Sequence, residues 1–291
     1  MNAQVSSTEA AGNSAPAESG TQKPSGQLVI IGGAEDKEGE CFILREFLRR
    51  AGGLQARIAV ITAATSLPGE VGSTYIRVFE RLGAERVDVV DTANRDDSND
   101  ERFIEVINQA TGIFFTGGDQ TRITDLIKGT KLDEAMHQRY ADGCIIAGTS
   151  AGAAMMPRTM IIGGDSETSP RVEIVDMDPG MGFLPGVVID QHFSQRGRLG
   201  RLLAAVAQKP HLLGIGIDEN TAIAVSDGEF EVLGEGTVTI VDLGEVTHSN
   251  LEHILRDEDL ALCNVKLHIL PHGYRFVLKD RVPVVESAAT V

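Results

Sequence analysis

The sequence predicts an α/β fold with a doubly wound, mostly parallel sheet and a β-rich C-terminal part. Short apolar runs alternate with amphipathic stretches between about residues 27 and 156. Several of these runs end in a glycine pair or a small polar loop. Such alternation is typical of a parallel sheet covered by helices on both faces. After about residue 213 the apolar runs are short and separated by glycine-containing turns, which indicates antiparallel pairing.

In the first half of the chain, each apolar run is followed by an amphipathic one. Strands are predicted at 27–31, 57–62, 87–90, 112–116 and 144–147, and helices at about 38–52, 70–82, 100–110, 121–128 and 131–141. Right-handed crossovers place the carboxyl ends of parallel strands along one edge of the sheet. The loops after Ile31, Thr62, Thr116 and Thr149 are therefore expected to open on one edge, where ligands bind in such sheets.

The second half has a different pattern. Residues 157–183 are rich in Gly, Pro, Asp and Thr, and they predict a long loop with short elements, a kind of segment that is often functional. A strand at 186–191, a helix at about 197–208 and a strand–loop–strand unit at 213–225 follow. Antiparallel strands are then predicted at 229–233, 236–241, 265–270 and 274–278. Residues 1–26 predict a disordered tail, and residues 27–291 a single domain.

Charge and cysteine content narrow the class of protein. The net charge of −16 argues against nucleic acid or an anionic membrane as a partner, and it suits either simple solubility or a guanidinium-rich substrate. No apolar run approaches the length of a membrane span, and no secretory signal is visible. The three cysteines are widely spaced, which favours reduced structural thiols over disulfides or a metal site. A cytoplasmic location is expected.

The central candidate for chemistry is Gly148-Thr149-Ser150-Ala151-Gly152, which follows an apolar strand. A serine on a sharp turn from a strand into a helix is typical of a nucleophile elbow. The N–H groups at the start of that helix can stabilise an oxyanion. An ordinary Gly/Ser turn is the plain alternative, so a base, an orienting acid and a second oxyanion donor are required elsewhere in the chain.

His192 is the preferred general base for Ser150, because it closes an apolar strand and has polar neighbours. Glu219, where the chain leaves Ile215-Gly216-Ile217, is the preferred orienting acid, and Asp218 is the near alternative. The second oxyanion donor is expected at Gly118 in the Gly117-Gly118 turn, with Ala151 as the first. Phosphate binding by the glycine pairs is a weaker interpretation, because neither nucleotide-binding glycine motif is present.

The order of these residues along the chain is serine, histidine, acid. The α/β-hydrolases have the order serine, acid, histidine, so that superfamily is excluded. The observed order matches class I glutamine-amidotransferase-like, flavodoxin-like folds. Arg196, Arg198 and Arg201 follow the candidate base, and few acids lie between residues 191 and 218. Because arginine binds carboxylates through a planar fork, this cluster predicts a site for substrate carboxylates, although surface ion pairs are the alternative.

Five motifs together resemble the cyanophycinase family of serine peptidases, which is related to aspartyl dipeptidase. The resemblance runs from about residue 27 to the C-terminal strands. The motifs are Ile30-Ile31-Gly32-Gly33-Ala34-Glu35-Asp36, Phe115-Thr116-Gly117-Gly118-Asp119-Gln120, Gly148-Thr149-Ser150-Ala151-Gly152-Ala153, Asp190-Gln191-His192-Phe193-Ser194-Gln195-Arg196-Gly197-Arg198 and Gly216-Ile217-Asp218-Glu219-Asn220-Thr221-Ala222.

The resemblance implies hydrolysis of cyanophycin, a poly-aspartate that carries an arginine on each β-carboxyl, with release of β-Asp-Arg dipeptides. It implies Ser150 as nucleophile, His192 as base and Glu219 as orienter. It also implies a substrate pocket made by Gln120, Asp190, Gln191, Arg196, Arg198 and Arg201. No cofactor or metal is expected, the partners are the polymer or its oligomers, and the family suggests a homodimer. An aspartyl dipeptidase, a non-catalytic amidotransferase-like binding protein and a nucleotide-binding protein remain as alternatives.

Overall fold

A computed structural model describes residues 26–165 and 169–285. The predicted tail lies outside the described residues, apart from Gly26. The strands are β1 Leu28–Ile31, β2 Arg57–Ile61, β3 Arg86–Val90, β4 Gly112–Phe115, β5 Ile145–Thr149, β6 Thr159–Gly164, β7 Val175–Pro179, β8 Val187–Gln191, β9 Leu213–Ile217, β10 Thr221–Ser226, β11 Glu229–Gly234, β12 Thr237–Asp242, β13 His248–Ser249, β14 Leu262–Cys263, β15 Lys266–Pro271, β16 Arg275–Val277 and β17 Val282–Val284.

Seven α-helices accompany these strands in the described part of the chain. They are α1 Phe42–Arg50, α2 Pro68–Leu82, α3 Glu101–Gln109, α4 Gln120–Ile127, α5 Lys131–Ala141, α6 Ala151–Ala154 and α7 Leu199–Gln208. Side-chain caps fix three of the helix starts, because Asp100, Asp119 and Thr130 each accept a backbone N–H from the first turn of α3, α4 and α5. These helices begin within one residue of the predicted positions.

A nine-stranded sheet organises most of the molecule. Its strand order is β17-β16-β11-β10-β1-β5-β4-β2-β3. From β1 to β3 every neighbouring pair is parallel, as the first half of the sequence predicts. From β1 to β17 every pair is antiparallel, which joins the β-rich C-terminal part to the same sheet. The predicted fold class, a largely parallel α/β sheet with a β-rich C-terminal part, is confirmed.

A second sheet of four strands has the order β15-β12-β9-β8. Strands β8 and β9 are parallel, with Gln191 paired with Ile217 at their carboxyl ends. The sequence pattern did not reveal that these strands leave the first sheet. The segment predicted as a long loop, 157–183, contains the antiparallel hairpin of β6 and β7.

Two hydrophobic layers cover the faces of the nine-stranded sheet. Alternate residues of β1 enter different layers, with Leu28 and Ile30 on one face and Val29 and Ile31 on the other. All four are fully buried, as expected for a central strand with helices on both sides. A third cluster packs α7 against the second sheet. Across the two described ranges, no helix is long and apolar enough to cross a membrane.

Candidate active site

Ser150 lies on a sharp turn between β5 and α6. Its backbone angles are φ 54° and ψ −112°, a region that non-glycine residues rarely adopt. The turn needs glycine at Gly148, because a Cβ there would collide with the backbone of Gly152. Backbone strain of this kind, at about 1–3 kcal/mol for each residue, persists only where the surrounding structure enforces it. The predicted elbow is therefore present as a strained strand-to-helix turn.

The structure brings Ser150, His192 and Glu219 together in one chain of hydrogen bonds. Ser150 Oγ lies 3.0 Å from His192 Nε2, and His192 Nδ1 lies 2.5 Å from Glu219 Oε1. His192 follows the carboxyl end of β8, and Glu219 follows the carboxyl end of β9. Parallel pairing of β8 with β9 places these two ends side by side. The candidate nucleophile, base and orienting carboxylate are thus within hydrogen-bond distance of one another.

The imidazole has one polar partner on each nitrogen. A proton on Nδ1 donates to Glu219 and leaves the Nε2 lone pair to accept the Ser150 proton. Burial lowers the pKa of His192, and the positive charges of Arg196 and Arg198 lower it further, while Glu219 opposes both effects. His192 is therefore neutral near pH 7, which is the form that can act as a base.

Asp218 and Glu219, which the sequence left as alternatives, face different partners. Asp218 accepts hydrogen bonds from the backbone N–H of Ser194 at 3.0 Å and from the backbone N–H and hydroxyl of Thr237 at 3.1 and 2.9 Å. Its carboxylate joins the β8 and β9 ends to β12. Glu219 contacts His192 instead. The geometry therefore favours Glu219 as the orienting acid.

The Gly117-Gly118 turn borders Ser150. A Cβ on Gly117 would lie 3.3 Å from the Ser150 Cβ and 3.8 Å from its Oγ. Gly118 has a φ of 144°, and Asp119 caps α4 through the N–H of Thr121. Ala151 begins α6, where backbone N–H groups lack partners within the helix. The turn therefore lies against the Ser150 side chain, and the start of α6 directly follows Ser150 in the chain.

Asp190, Arg198 and Arg201 are buried, and the Asp190 carboxylate accepts hydrogen bonds from both arginines. Arg201 donates to Asp190 Oδ2 at 2.8 Å and to Oδ1 at 2.5 Å, while Arg198 donates to Oδ1 at 3.2 Å and to the Gln191 carbonyl at 2.6 Å. Burial lowers the pKa of Arg198 to about 10, although Asp190 acts in the opposite direction. The Asp190 carboxylate thus accepts hydrogen bonds from two guanidinium groups and from the backbone N–H of Gln191, the residue before His192.

The other predicted pocket residues lie closer to the surface or to Ser150. Gln191 Oε1 is 3.4 Å from Ser150 Oγ. Gln120 donates to the carbonyl of Ile161 at 2.8 Å, which holds the β6–β7 hairpin against α4. The side chain of Arg196 is exposed, unlike those of Arg198 and Arg201. Within the predicted arginine cluster, Arg196 has the guanidinium most open to solvent.

Glu35 lies within one of the five sequence motifs, but it is not among the predicted site residues. Glu35 is buried behind the elbow and accepts a hydrogen bond from Thr149, the residue before Ser150. A carboxylate in an otherwise small and apolar segment, Gly32-Gly33-Ala34-Glu35, is the signal that could have indicated it. No group of three or more His, Cys, Asp or Glu is placed to hold a metal ion anywhere in the described ranges.

The lowered pKa of His192 gives a pH prediction. Protonation of His192 removes the base, so kcat/KM is expected to fall as pH drops, with an apparent pKa below the usual histidine value of about 6.5. The fall in kcat/KM at low pH is the acid limb of the pH profile. An Arg196→Gln change removes a positive charge that lowers the pKa of His192, so it is expected to move this acid limb to higher pH. Arg77→Gln, a change of an exposed arginine on α2, serves as the control. A limb that stays in place in Arg196→Gln would contradict this electrostatic account.

Comparison with known proteins identifies the family of this chain and several of its relatives. Residues 28–233 match the family model described as Peptidase family S51. The chain is 45% identical over 256 residues to a cyanophycinase of Trichormus variabilis, covering 87% of this chain and 86% of that protein. It is 43% identical over 259 residues to a cyanophycinase of Geminocystis herdmanii, covering 88% of this chain and 95% of that protein.

A solved structure shares the fold at lower sequence identity. The crystal structure of a peptidase from an acI-B1 Actinobacterium superposes with a TM-score of 0.64 at 18% identity, covering 88% of this chain and 98% of that chain. The family model spans the β1–α1 segment, the elbow, the His192 strand end and Glu219. The chain therefore belongs to peptidase family S51.

Proposed function

We propose that this protein is a serine peptidase that hydrolyses the aspartate backbone of cyanophycin and releases β-Asp-Arg dipeptides. The observation that carries the proposal is the hydrogen-bonded series Ser150–His192–Glu219. It occurs in a chain of family S51 that is 45% identical, over most of its length, to a protein named cyanophycinase. The five sequence motifs that resemble that family contain all three residues.

The proposed reaction passes through an acyl-enzyme. His192 Nε2 accepts the Ser150 proton while Oγ attacks the backbone carbonyl carbon of an aspartate residue. The negative charge that develops on the carbonyl oxygen is stabilised by the N–H groups of Ala151 and Gly118. The imidazolium, held by Glu219, then protonates the leaving amine as the carbon–nitrogen bond breaks. Water enters, gives a proton to His192 and attacks the ester carbonyl carbon. His192 then returns that proton to Ser150 Oγ as the ester bond breaks, which frees the aspartyl carboxylate and Ser150.

The predicted substrate-binding residues have two kinds of role in this proposal. Arg196 is exposed, so we place it in contact with a substrate carboxylate. Gln191 lies beside Ser150 Oγ and borders the reacting carbonyl. Asp190, Arg198 and Arg201 shape the pocket wall from behind, and Gln120 holds the β6–β7 hairpin that forms another wall. The hairpin is also bonded to Arg201 through the carbonyl of Gly164 at 3.3 Å.

Defined substrates test this function against its main alternative. Purified protein is incubated with β-Asp-Arg oligomers of known length and, separately, with α-linked Asp-X dipeptides, and the products are identified by mass spectrometry. We expect β-Asp-Arg dipeptides from the oligomers. Cleavage of the Asp-X dipeptides with no attack on the oligomers would instead identify an aspartyl dipeptidase. No hydrolysis of either substrate would favour a non-catalytic binding protein.

We also propose a homodimer and a cytoplasmic location. Strand β15 is an edge of the four-stranded sheet and exposes the side chains of Leu267 and Ile269 on one face. An exposed apolar edge is suited to being covered by a second copy. The free thiols of Cys41 and Cys144 are consistent with a reducing compartment. The molar mass from light scattering tests the homodimer, and a monomer would contradict it. Cell fractionation tests the location, and a secreted protein would contradict it.

A further inference from the structure

We propose that residues 31–36, which run from the last residue of β1 towards α1, hold the three catalytic segments in register, and that Glu35 is a positioning residue for Ser150. The inference rests on the proposed function, because it assigns Ser150 as the nucleophile. The segment carries one of the sequence motifs, Gly32-Gly33-Ala34-Glu35-Asp36, to which the proposed reaction gives no role. Its hydrogen bonds connect it to each of the three parts of the active site.

Three consecutive carbonyls of this segment accept N–H groups from the catalytic segments. The donors are Ser150 to Ile31 at 3.0 Å, His192 to Gly32 at 2.8 Å and Asn220, next to Glu219, to Gly33 at 2.9 Å. All three donors have a positive φ, at 54°, 47° and 48°. Such conformations require enforcement by their surroundings, and these bonds supply part of it.

The glycine pair approaches the base closely. A Cβ on Gly33, where φ is 104°, would collide with the imidazole of His192. The N–H groups of Gly32 and Asp36 are both used, one by the carbonyl of Thr221 at 2.9 Å and one by Asn220 Oδ1 at 3.0 Å. The carbonyls of Ile31, Gly32 and Gly33 accept backbone N–H groups of the active-site segments, so the turn is suited to holding those segments in place.

Glu35 adds a side-chain contact from the same segment to the nucleophile elbow. Its Oε2 accepts the hydroxyl of Thr149 at 2.5 Å, and its Oε1 accepts the hydroxyl of Tyr75 at 2.5 Å and lies 2.8 Å from Lys37 Nζ. The Glu35 side chain is only 1% exposed. A buried carboxylate is costly unless donors surround it, and here three donors do.

Glu35 contacts the residue next to Ser150 and not the reacting side chains, which makes it a positioning residue. Thr149 immediately precedes Ser150, so the Glu35–Thr149 bond restrains the backbone at the strained turn, whereas no contact joins Glu35 to the Ser150 or His192 side chain among the described bonds. A small displacement of a nucleophile can lower the rate of a reaction by about 10²-fold. Loss of the bond should therefore lower kcat and leave KM largely unchanged.

Substitutions at Thr149 test the contact most directly. Thr149→Val keeps the shape but removes the hydroxyl, and we expect kcat on β-Asp-Arg oligomers to fall by about 10- to 100-fold, with KM within about twofold. Thr149→Ser keeps the donor and is expected to restore most of the kcat. Glu35→Gln is expected to lie between them, because Lys37 and Tyr75 orient the amide oxygen towards themselves and leave the NH₂ to Thr149.

A stability control separates positioning from simple folding. Thr130→Ala removes a buried hydroxyl from the N-cap of α5, and it is expected to lower the Tm while kcat stays at the wild-type value. Thr149→Val that retains full kcat, or Thr149→Ser as impaired as Thr149→Val, would overturn the inference, as would a rise in KM in place of a fall in kcat. If Thr149→Val does not fold, the kcat, KM and Tm of Glu35→Gln are compared with those of Thr130→Ala. A Glu35→Gln variant with full kcat would then overturn the inference.

The same assay distinguishes this inference from the proposed function. Ser150→Ala that still turns over substrate would contradict the nucleophile and, with it, any positioning of that nucleophile by Glu35. An inactive Ser150→Ala together with a fully active Thr149→Val would contradict the role of Glu35 alone. An inactive Ser150→Ala with a kcat-impaired Thr149→Val is the result that we expect.

Discussion

A Ser150→Ala variant is expected to lose about 10⁴-fold or more of its kcat on β-Asp-Arg oligomers, with its Tm close to that of the wild type. Removal of Oγ leaves His192 and Glu219 bonded to each other but takes away the atom that forms the acyl bond. The change deletes one polar atom and no buried apolar contact, so little stability should be lost. Steady-state kinetics and a thermal melt on the same preparation measure both quantities.

Ser73→Ala is the matched control for this experiment. Ser73 is an exposed serine on α2, and its hydroxyl donates to the carbonyl of Gly69 at 2.6 Å within the helix. We expect this variant to keep wild-type kcat and KM. Substantial turnover by Ser150→Ala, measured on protein free of wild-type enzyme, would remove Ser150 from the role of nucleophile.

The second large effect is expected from Asp190→Asn, and it is an effect on stability. Asp190 is 1% exposed and is the carboxylate partner of both Arg198 and Arg201. Neutralising one partner leaves buried guanidinium charge uncompensated, which typically costs about 3–5 kcal/mol in the free energy of unfolding. Urea or thermal unfolding of the variant and the wild type measures the difference.

An exposed ion pair provides the comparison. Arg86 and Asp88 lie 2.7 Å apart with side chains 51% and 30% exposed, and Asp88→Asn is expected to cost less than about 1 kcal/mol. Equal losses in Asp190→Asn and Asp88→Asn would show that the buried cluster has no special weight in stability. A large KM increase in Asp190→Asn with unchanged stability would instead place Asp190 in direct contact with substrate.

The buried partner of Arg198 and Arg201 could not be predicted from the sequence. The scarcity of acids between residues 191 and 218 favoured substrate carboxylates as the partners of Arg198 and Arg201. Their partner in the structure is Asp190, one residue before that window. The partner was missed because strand β8 ends at Gln191 and the chain then returns through α7, which brings Arg201 back over the strand end. Such a return depends on packing and has no short-range signal.

The candidate triad was more accessible to sequence reasoning. Parallel strands end on one edge, so residues that follow strand ends, such as Ser150 and His192, could be expected together. The choice between Asp218 and Glu219 could not be made from spacing, because adjacent residues at a strand end can turn to opposite sides. The structure separates them, since Asp218 faces Thr237 and Glu219 faces His192.

The placement of the later strands and of Glu35 depends on long-range pairing. Strands β8 and β9 form a second sheet with β12 and β15, and no local pattern in the sequence indicates that separation. Glu35 lies 114 residues before its partner Thr149. No local pattern predicts a contact over such a separation, because only the folded sheet brings β1 next to β5.

Covalent labelling of Ser150 tests the central claim most directly. A fluorophosphonate, which reacts with an activated serine, is added to the wild type, Ser150→Ala and His192→Ala, and the modified peptide is identified by mass spectrometry. We expect one adduct, on Ser150, in the wild type, with activity lost in proportion to labelling, and no adduct at that position in either variant. An adduct on another serine that accounts for the lost activity, or equal labelling in His192→Ala, would contradict the account.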